Sequence, residues 1–214
     1  MKAINGIDEY FRLMKTRPEC FRKSEIYPIE ADRSVIEEYS RQNEVSLGVV
    51  YKSKYTILVV DLIKKHDGGY FTYERILPAS EGKGVVCVPV FEDKLIMIRQ
   101  YRHSMRAFQL CFPRGYGEDN LSAIENAKKE LHEEIGACVQ SAVKAGETVA
   151  DSGLAGALVD IILCSVSEFE PQPGHEGICD TILVTKDELK QKIENGEIND
   201  GFTLAAFAFC RDKI

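Results

Sequence analysis

Three glutamates, Glu130, Glu133 and Glu134, stand close together just before Gly136. On a helix, carboxylates three and four residues apart repel one another, at roughly 0.2 to 0.5 kcal/mol for each pair. The negative end of the helix dipole adds a penalty of similar size. A divalent cation held by these carboxylates would offset the repulsion, because hard cations such as Mg²⁺ prefer oxygen ligands. The spacing therefore raises the hypothesis of a metal site.

The helix that carries the glutamates is predicted near residues 120–135. Its apolar positions recur at helical spacing and form one stripe, which consists of Ile124, Ala127, Leu131 and Ile135. We predict that the stripe packs against the core and that the three glutamates point away from it. A solvated charged face is the alternative interpretation, because Lys129 is placed to pair with Glu125 and with Glu133.

Composition and charge limit the class of protein. The chain has 214 residues, 44% of them hydrophobic, which is enough for a core without disulfides or structural metals. Its seven cysteines form no C-x-x-C pair, a pattern typical of a reducing cytoplasm. The net charge of -7 argues against nucleic acid as a partner. No signal peptide and no membrane-spanning apolar run is present, so we expect a cytoplasmic protein without a membrane partner.

The order of the predicted elements indicates an α/β protein. The elements are a helix around Ile7–Met14, a helix with a capping box from Ser34 to Glu37, strands at 55–63 and 69–78, a hairpin around Glu92-Asp93, the helix at 120–135, strands near 141–150, 157–165 and 178–184, and helices near 186–194 and 202–210. This order predicts an α/β/α sandwich with a mixed sheet in residues 81–214. We expect residues 1–80 to form a preceding segment of helices and antiparallel strands, and a candidate dimerisation subdomain.

The sequence "KELHEEIGA" (129–137) resembles the second half of the Nudix hydrolase box, G-x5-E-x7-R-E-U-x-E-E-x-G-U, in which U is an aliphatic residue. Gly115 stands at the first glycine of the box. Three positions depart from it: Leu121 replaces the first Glu, Lys129 replaces Arg, and the small Ala137 fills the last aliphatic position. Lysine keeps the charge of arginine but loses its bidentate fork.

The resemblance extends to the ADP-ribose pyrophosphatase branch of that family. Residues 69–115 carry "VVCVPV", "RQYRH" and "PRG", and residues 195–207 are similar to a Gly-x-Ile-x-Asp-x-x-Thr element of the branch. The resemblance covers roughly residues 69–210. Residues 1–45 match no part of the family pattern. It implies a Nudix-type sandwich, a homodimer with substrate bound between subunits, and metal-dependent hydrolysis of a nucleoside diphosphate linked to another moiety.

The resemblance also implies a set of metal ligands. Glu130 and Glu134 would hold Mg²⁺ directly, with Mn²⁺ as the alternative. Glu133 would be a further ligand or the partner of a ligand, and the carbonyl of Arg114 would be a backbone ligand. Such cations bridge the two phosphates and reduce the charge that repels an attacking hydroxide.

Two arginines are candidates for binding the substrate phosphates, and Gly115 belongs to the same substrate-binding set. Arg99 of "RQYR" is the first candidate, because the matching arginine in relatives contacts phosphate, and Arg102 is the second. A surface ion pair is the ordinary interpretation of an arginine at the end of a strand, and without the motif it would be preferred for both.

The general base is sought in the loop 168–180, because the base of the resembling branch comes from an acidic loop before a late strand. Glu176 is the candidate at the centre of this loop. His175 and Glu134 are the alternatives, and histidine has a pKa suited to base chemistry at neutral pH. A solvated surface glutamate remains the ordinary interpretation of Glu176.

Two departures leave the substrate open. No proline lies between Pro113 and Pro171, although the branch commonly has one about sixteen residues after the box, and Cys111 stands where the branch often has Glu. ADP-ribose or a related nucleotide sugar is favoured, with dinucleotides and NADH also open. The alternative function is a non-catalytic Nudix-fold sensor of a nucleotide sugar. Leu121 and the unplaced N-terminal helices motivate the sensor, whereas the intact E-x-x-E-E triplet favours the enzyme.

Overall fold

A computed structural model describes residues 6–171 and 174–214 of the chain, without the side chain of His175. The contacts divide the chain into two compact units. The first comprises the chain up to Ala79 together with Asp151–Ala157, and the second comprises Ser80–Ala150 and Leu158–Ile214. Among the described residues, no helix has the length and apolar character needed to cross a membrane.

The first unit combines two helices with a three-stranded antiparallel sheet of order β1-β2-β3. Its elements are α1 (Gly6–Thr16), α2 (Arg33–Asn43), β1 (Gly48–Lys52), β2 (Thr56–Lys64) and β3 (Tyr70–Pro78). The capping box predicted at Ser34 is wrong. Asp32 is the N-cap of α2, and its carboxylate accepts a hydrogen bond of 2.8 Å from the amide of Ser34.

The second unit is built on a seven-stranded mixed sheet of order β10-β5-β4-β9-β8, in which β6 pairs with β5 and β7 pairs with β4. Its strands are β4 (Val85–Phe91), β5 (Lys94–Arg102), β6 (Ala107–Cys111), β7 (Arg114–Gly115), β8 (Cys138–Asp151), β9 (Ala155–Glu168) and β10 (Ile178–Val184). Strands β4 and β9 run parallel, whereas β5 runs antiparallel to β4 and to β10. The predicted mixed sheet is therefore confirmed.

Helices cover both faces of this sheet. Successive strand residues point to opposite sides, so a strand of consecutive apolar residues presents an apolar surface on each face. One face packs on α3 (Ala123–Ile135), through residues such as Cys87, Ile96 and Ile98. The other face packs on α4 (Lys186–Glu194) and α5 (Gly201–Cys210), through residues such as Val88, Leu95 and Met97. The α/β/α sandwich is confirmed.

Strands β8 and β9 are longer than the sequence predicts. The predicted ranges 141–150 and 157–165 lie inside observed strands of 14 residues each. The residues added at the two ends of each strand are mostly exposed or half-buried. They therefore carry little of the apolar alternation by which a strand is recognised.

Candidate active site

Helix α3 has a defined position at both ends. Ser122 is the N-cap, and Ser122 and Glu125 form a capping box in which each side chain accepts a hydrogen bond from the other residue's backbone amide. Gly136 ends the helix with a left-handed φ of 61°, which glycine adopts without steric cost. These two caps fix the position at which the glutamates of the last two turns leave the helix.

One face of α3 differs from the prediction. Ala127, Leu131 and Ile135 are buried as expected, but Ile124 is exposed and Glu134 is only 1% exposed. The prediction that all three glutamates point away from the packed stripe is therefore wrong for Glu134. At about 100° per residue, position 134 lies only about 60° from position 131 around the helix axis. The side of the helix that buries Leu131 therefore buries the carboxylate of Glu134 too.

Glu130 lies against the backbone of Gly115. A Cβ atom added to Gly115 would come within 1.9 Å of the Glu130 carboxyl carbon and within 2.0 Å of its Oε1. No side chain larger than glycine fits here without moving Glu130. This contact is the physical reason for a glycine at the first position of the box.

Arg114 connects β7 to both α3 and α5. Its backbone amide donates a hydrogen bond of 3.2 Å to Oε2 of Glu134. Its guanidinium donates a hydrogen bond of 2.9 Å to Asp200, the N-cap of α5, and lies over the ring of Phe202. The side chain of Arg114 is thus engaged in the fold, and its backbone faces the buried glutamate.

The two inner glutamates have unusual electrostatics. Burial and, to a lesser extent, the charge of Glu130 raise the pKa of Glu134 to about 8, while Arg102 acts in the opposite direction. Burial also raises the pKa of Glu130 to about 6, with Lys129 opposing the shift. Desolvation is the largest cause of both shifts, and neighbouring carboxylates add to each of them.

Glu133 stands apart from this pair. It is exposed, and Lys129 donates a hydrogen bond of 2.9 Å to its carboxylate and one of 2.8 Å to Glu118. The solvated-face interpretation therefore describes the side chain of Glu133 as it is observed. No three acidic, histidine or cysteine side chains in the described part of the chain converge as a metal-ligand set.

Glu176 lies close to the buried pair. It occupies the short turn His175–Gly177 between β9 and β10, which contacts α3 and β5. Its charge contributes to the raised pKa of Glu130 and of Glu134. Residues 172–173 of the predicted loop and the side chain of His175, the alternative base, lie outside the described residues.

The two candidate arginines lie on opposite faces of β5. Arg102 is half-buried on the α3 face, where it donates a hydrogen bond of 3.3 Å to Sγ of Cys111 and acts on Glu134. Arg99 is exposed on the other face, with its guanidinium over the ring of Phe108. The structure therefore brings Arg102, rather than Arg99, to the face that carries the glutamates.

Two buried polar residues of this region were missed in the sequence. Gln100 of β5 donates a hydrogen bond of 3.0 Å to the carbonyl of Glu176. Asn126 of α3 donates one of 2.9 Å to the carbonyl of Tyr116, next to Gly115. Both interrupt apolar patterns: Gln100 continues the alternation of Ile96 and Ile98 along the strand, and Asn126 lies beside Ala127 on the helix. A polar residue at a buried position was the available signal.

Comparison with known proteins supports the resemblance read from the box. No family model matches the chain. The ADP compounds hydrolase NudE of Escherichia coli (strain K12) is 35% identical over 82 residues, which cover 38% of this chain and 43% of that protein. The chain thus matches less than half the length of this curated relative. The match bears out the resemblance to Nudix hydrolases that the box indicates.

A solved structure shares the fold. The crystal structure of an ADP compounds hydrolase superposes with a TM-score of 0.69 at 21% sequence identity. The superposition covers 78% of this chain and 91% of that one. This likeness confirms the fold.

Proposed function

We propose that this chain is a metal-dependent pyrophosphatase that hydrolyses ADP-ribose or a related nucleoside diphosphate derivative. The observation that carries the proposal is the pair Glu130 and Glu134. Glu134 is buried and accepts a hydrogen bond from the backbone amide of Arg114, and the half-buried Glu130 lies against Gly115. Burying two like charges is costly unless a cation compensates them. The relative and the solved structure are both named as hydrolases of ADP compounds, which supports the substrate class.

The donor set fits a hard divalent cation. Oxygen ligands suit Mg²⁺ or Mn²⁺, and the carboxylates of Glu130 and Glu134 would hold the ion together with the carbonyl of Arg114. Glu133 would join as a further ligand or as the partner of a ligand once its carboxylate leaves Lys129. When bound, the metal would neutralise charge on the two phosphates and make the attacked phosphorus more electrophilic.

The remaining residues have roles that follow from their positions. Arg102 would bind a phosphate oxygen on the α3 face, with Arg99 as the weaker candidate because it lies on the other face. The carboxylate of Glu176 would accept a proton from the attacking water. A P–O bond then forms to that water and the P–O bond to the leaving phosphate breaks, releasing a nucleoside monophosphate and a second phosphate ester.

The decisive experiment measures product release from a panel of substrates. The panel contains ADP-ribose, other nucleotide sugars, dinucleotides and nucleoside triphosphates, each with Mg²⁺ or Mn²⁺ and with a chelator. We expect metal-dependent release of AMP from ADP-ribose by the wild type and its loss in Glu134→Gln. Glu194→Gln, which alters an exposed glutamate of α4, is the matched control and should retain activity.

Two results would contradict the proposal. Hydrolysis that survives both the chelator and Glu134→Gln would remove the metal site from the mechanism. No turnover on any member of the panel, together with a melting temperature raised by a nucleotide sugar, would support the sensor instead.

We further propose a homodimer in the cytoplasm. The first unit exposes large apolar side chains, namely Ile26, Tyr27, Val50, Tyr51, Tyr55 and Tyr73. Exposed apolar surface of this kind favours association with another subunit. All seven cysteines are free, as expected in a reducing compartment. Sedimentation equilibrium measures the subunit number, and a monomer at micromolar concentration would contradict the dimer.

A further inference from the structure

Gln100 is a buried amide in the middle of the active-site face. It lies on β5 between Ile98 and Arg102 and is only 4% exposed. Alternation along the strand places it on the same face as both neighbours, towards α3. A glutamine at such a position is uncommon, because an apolar residue would pack there without unsatisfied polar atoms.

The amide of Gln100 faces the turn that carries Glu176. Its Nε2 donates a hydrogen bond of 3.0 Å to the backbone carbonyl of Glu176. The orientation of the amide is fixed by chemistry, because a carbonyl only accepts and must therefore face the NH₂ group. The other end, Oε1, is then a buried acceptor, and no described residue donates a hydrogen bond to it.

The turn itself has an unfavourable backbone. Glu176 has a φ of 46°, in the left-handed region that side chains other than glycine seldom occupy. Gly177 follows with a φ of 78°, and the amide of Gly174 donates a hydrogen bond of 2.7 Å to the carbonyl of Ile178. A left-handed residue that is not glycine persists where surrounding contacts hold it. The hydrogen bond from Gln100 is such a contact, and it acts on Glu176 itself.

We propose that Gln100 is a positioning residue that holds the Glu176 turn so that the carboxylate of Glu176 faces Glu130 and Glu134. The inference rests on the proposed hydrolase function and on Glu176 as its general base. Gln100 leaves Oε1 unpaired among the described residues, which costs stability. A residue retained at such a cost is expected at a functional site.

The test is a double-mutant cycle between Gln100→Met and Glu176→Gln. Methionine has a similar length and fills the buried position, but it donates no hydrogen bond to the turn. We expect Gln100→Met to lower kcat by about 10- to 100-fold, since a misplacement of about 1 Å can cost that much, with KM changed by less than about threefold. In the Glu176→Gln background, Gln100→Met should have no further effect on kcat.

A matched control separates positioning from a general effect of the substitution. Gln140→Met changes an exposed glutamine of β8, in the same sheet, and should leave kcat unchanged. The proposal is overturned if Gln100→Met retains the kcat of this control. It is also overturned if Gln100→Met lowers kcat by the same factor in both backgrounds, because the effect would then not pass through Glu176.

A second measurement keeps the inference distinct from the function it rests on. Amide hydrogen exchange of the segment 174–178 should become at least about tenfold faster in Gln100→Met than in wild type, whatever the catalytic activity. Unchanged exchange overturns the anchoring role even if the enzyme is active. No turnover by the wild type combined with faster exchange would overturn the hydrolase proposal and the role in catalysis, and would leave Gln100 as an anchor only.

Discussion

Single residues at the candidate site trade stability for chemistry. Glu134 is a carboxyl group in a buried position that disfavours its charged form, and the nearby charge of Glu130 disfavours that form further. Gly115 is the complementary case, because the absence of a side chain leaves room for Glu130. The residue type at each of these positions is explained by the neighbouring carboxylate that it faces rather than by packing in the core. Substitutions that remove these carboxylates are therefore expected to lower activity and to raise the stability of the metal-free protein.

We predict that Gly115→Ala lowers metal-dependent turnover by about 100-fold or more. The added Cβ would meet the Glu130 carboxylate within 2.0 Å and would displace it from its position. Gly156→Ala is the control, because nothing lies within 4 Å of a Cβ at that exposed glycine of β9. The measurement is kcat at saturating metal, alongside the melting temperature. Equal activities of the two variants would contradict the role given to Gly115.

We predict a pH-dependent contribution of Glu9 in the first unit. Hydrogen bonds from Arg12, and then from Lys52, lower the pKa of Glu9 to about 2. The unfolded value is about 4.3, so the stabilisation is present above that pH and is lost as the pH falls through about 2. Arg12 is 61% exposed, so solvent screens the pair and we expect only about 1 kcal/mol.

The measurement compares the melting temperatures of wild type and Glu9→Gln between pH 8 and pH 3. The difference should be largest near neutral pH and should shrink towards pH 3. Glu25→Gln, which alters an exposed glutamate of the same unit, is the control and should follow the wild type throughout. A difference that grows as the pH falls would have the wrong sign and would refute the prediction.

At the scale of elements, strand β5 decides which side chains share the site. Gln100 and Arg102 face α3, whereas Arg99 and Tyr101 face the opposite side with Phe108. The two arginines are only three residues apart in the sequence, but the pleat of the strand places them on opposite faces of the sheet. Helix α3 acts similarly, since the face that packs against β4 and β7 buries Glu134 and leaves Glu133 exposed.

We predict that Arg102→Met raises KM for the nucleotide by at least about tenfold, whereas Arg99→Met changes it by less than about threefold. A charge-assisted bond to phosphate is worth roughly 1.5 to 3 kcal/mol, and only Arg102 lies on the α3 face. The two variants are matched controls for each other, because they remove the same charge from one strand. A larger effect of Arg99→Met would restore the order inferred from the sequence.

At the scale of the whole molecule, metal binding is expected to appear as stability. A ligand that binds only the folded state at 100 times its Kd contributes about 2.7 kcal/mol. For a chain of this size that corresponds to a rise of about 5 to 10 °C in melting temperature. We predict this rise for wild type with Mg²⁺ or Mn²⁺, and none for the double variant Glu130→Gln/Glu134→Gln.

The double variant has a second expected property. Without metal and above about pH 8, where both carboxylates are charged, it should melt at a higher temperature than wild type, because the cost of holding the two charges in this site is removed. The control is Glu168→Gln/Glu194→Gln, which removes two exposed charges and should keep the response to metal. A metal-induced shift of equal size in both double variants would place the cation elsewhere.

The sequence by itself determined the class of fold and the composition of the site. Periodicity predicted most of the helices and strands, because burial on one face imposes a repeat that local sequence must carry. The spacing from Gly115 to Glu134 indicated one site, since a glycine turn and a helix fix those distances within a single stretch of chain.

Only the tertiary structure decided which residues from other elements lie next to the segment from Gly115 to Glu134. Burial of Glu134, the nearness of Glu176 and the preference for Arg102 over Arg99 depend on how α3 packs against β4 and β7, on the pleat of β5 and on the turn before β10. The anchoring of that turn by Gln100 joins residues 76 positions apart. Contacts at such separations leave no periodic trace in a single sequence, because they are set by packing between elements rather than within them.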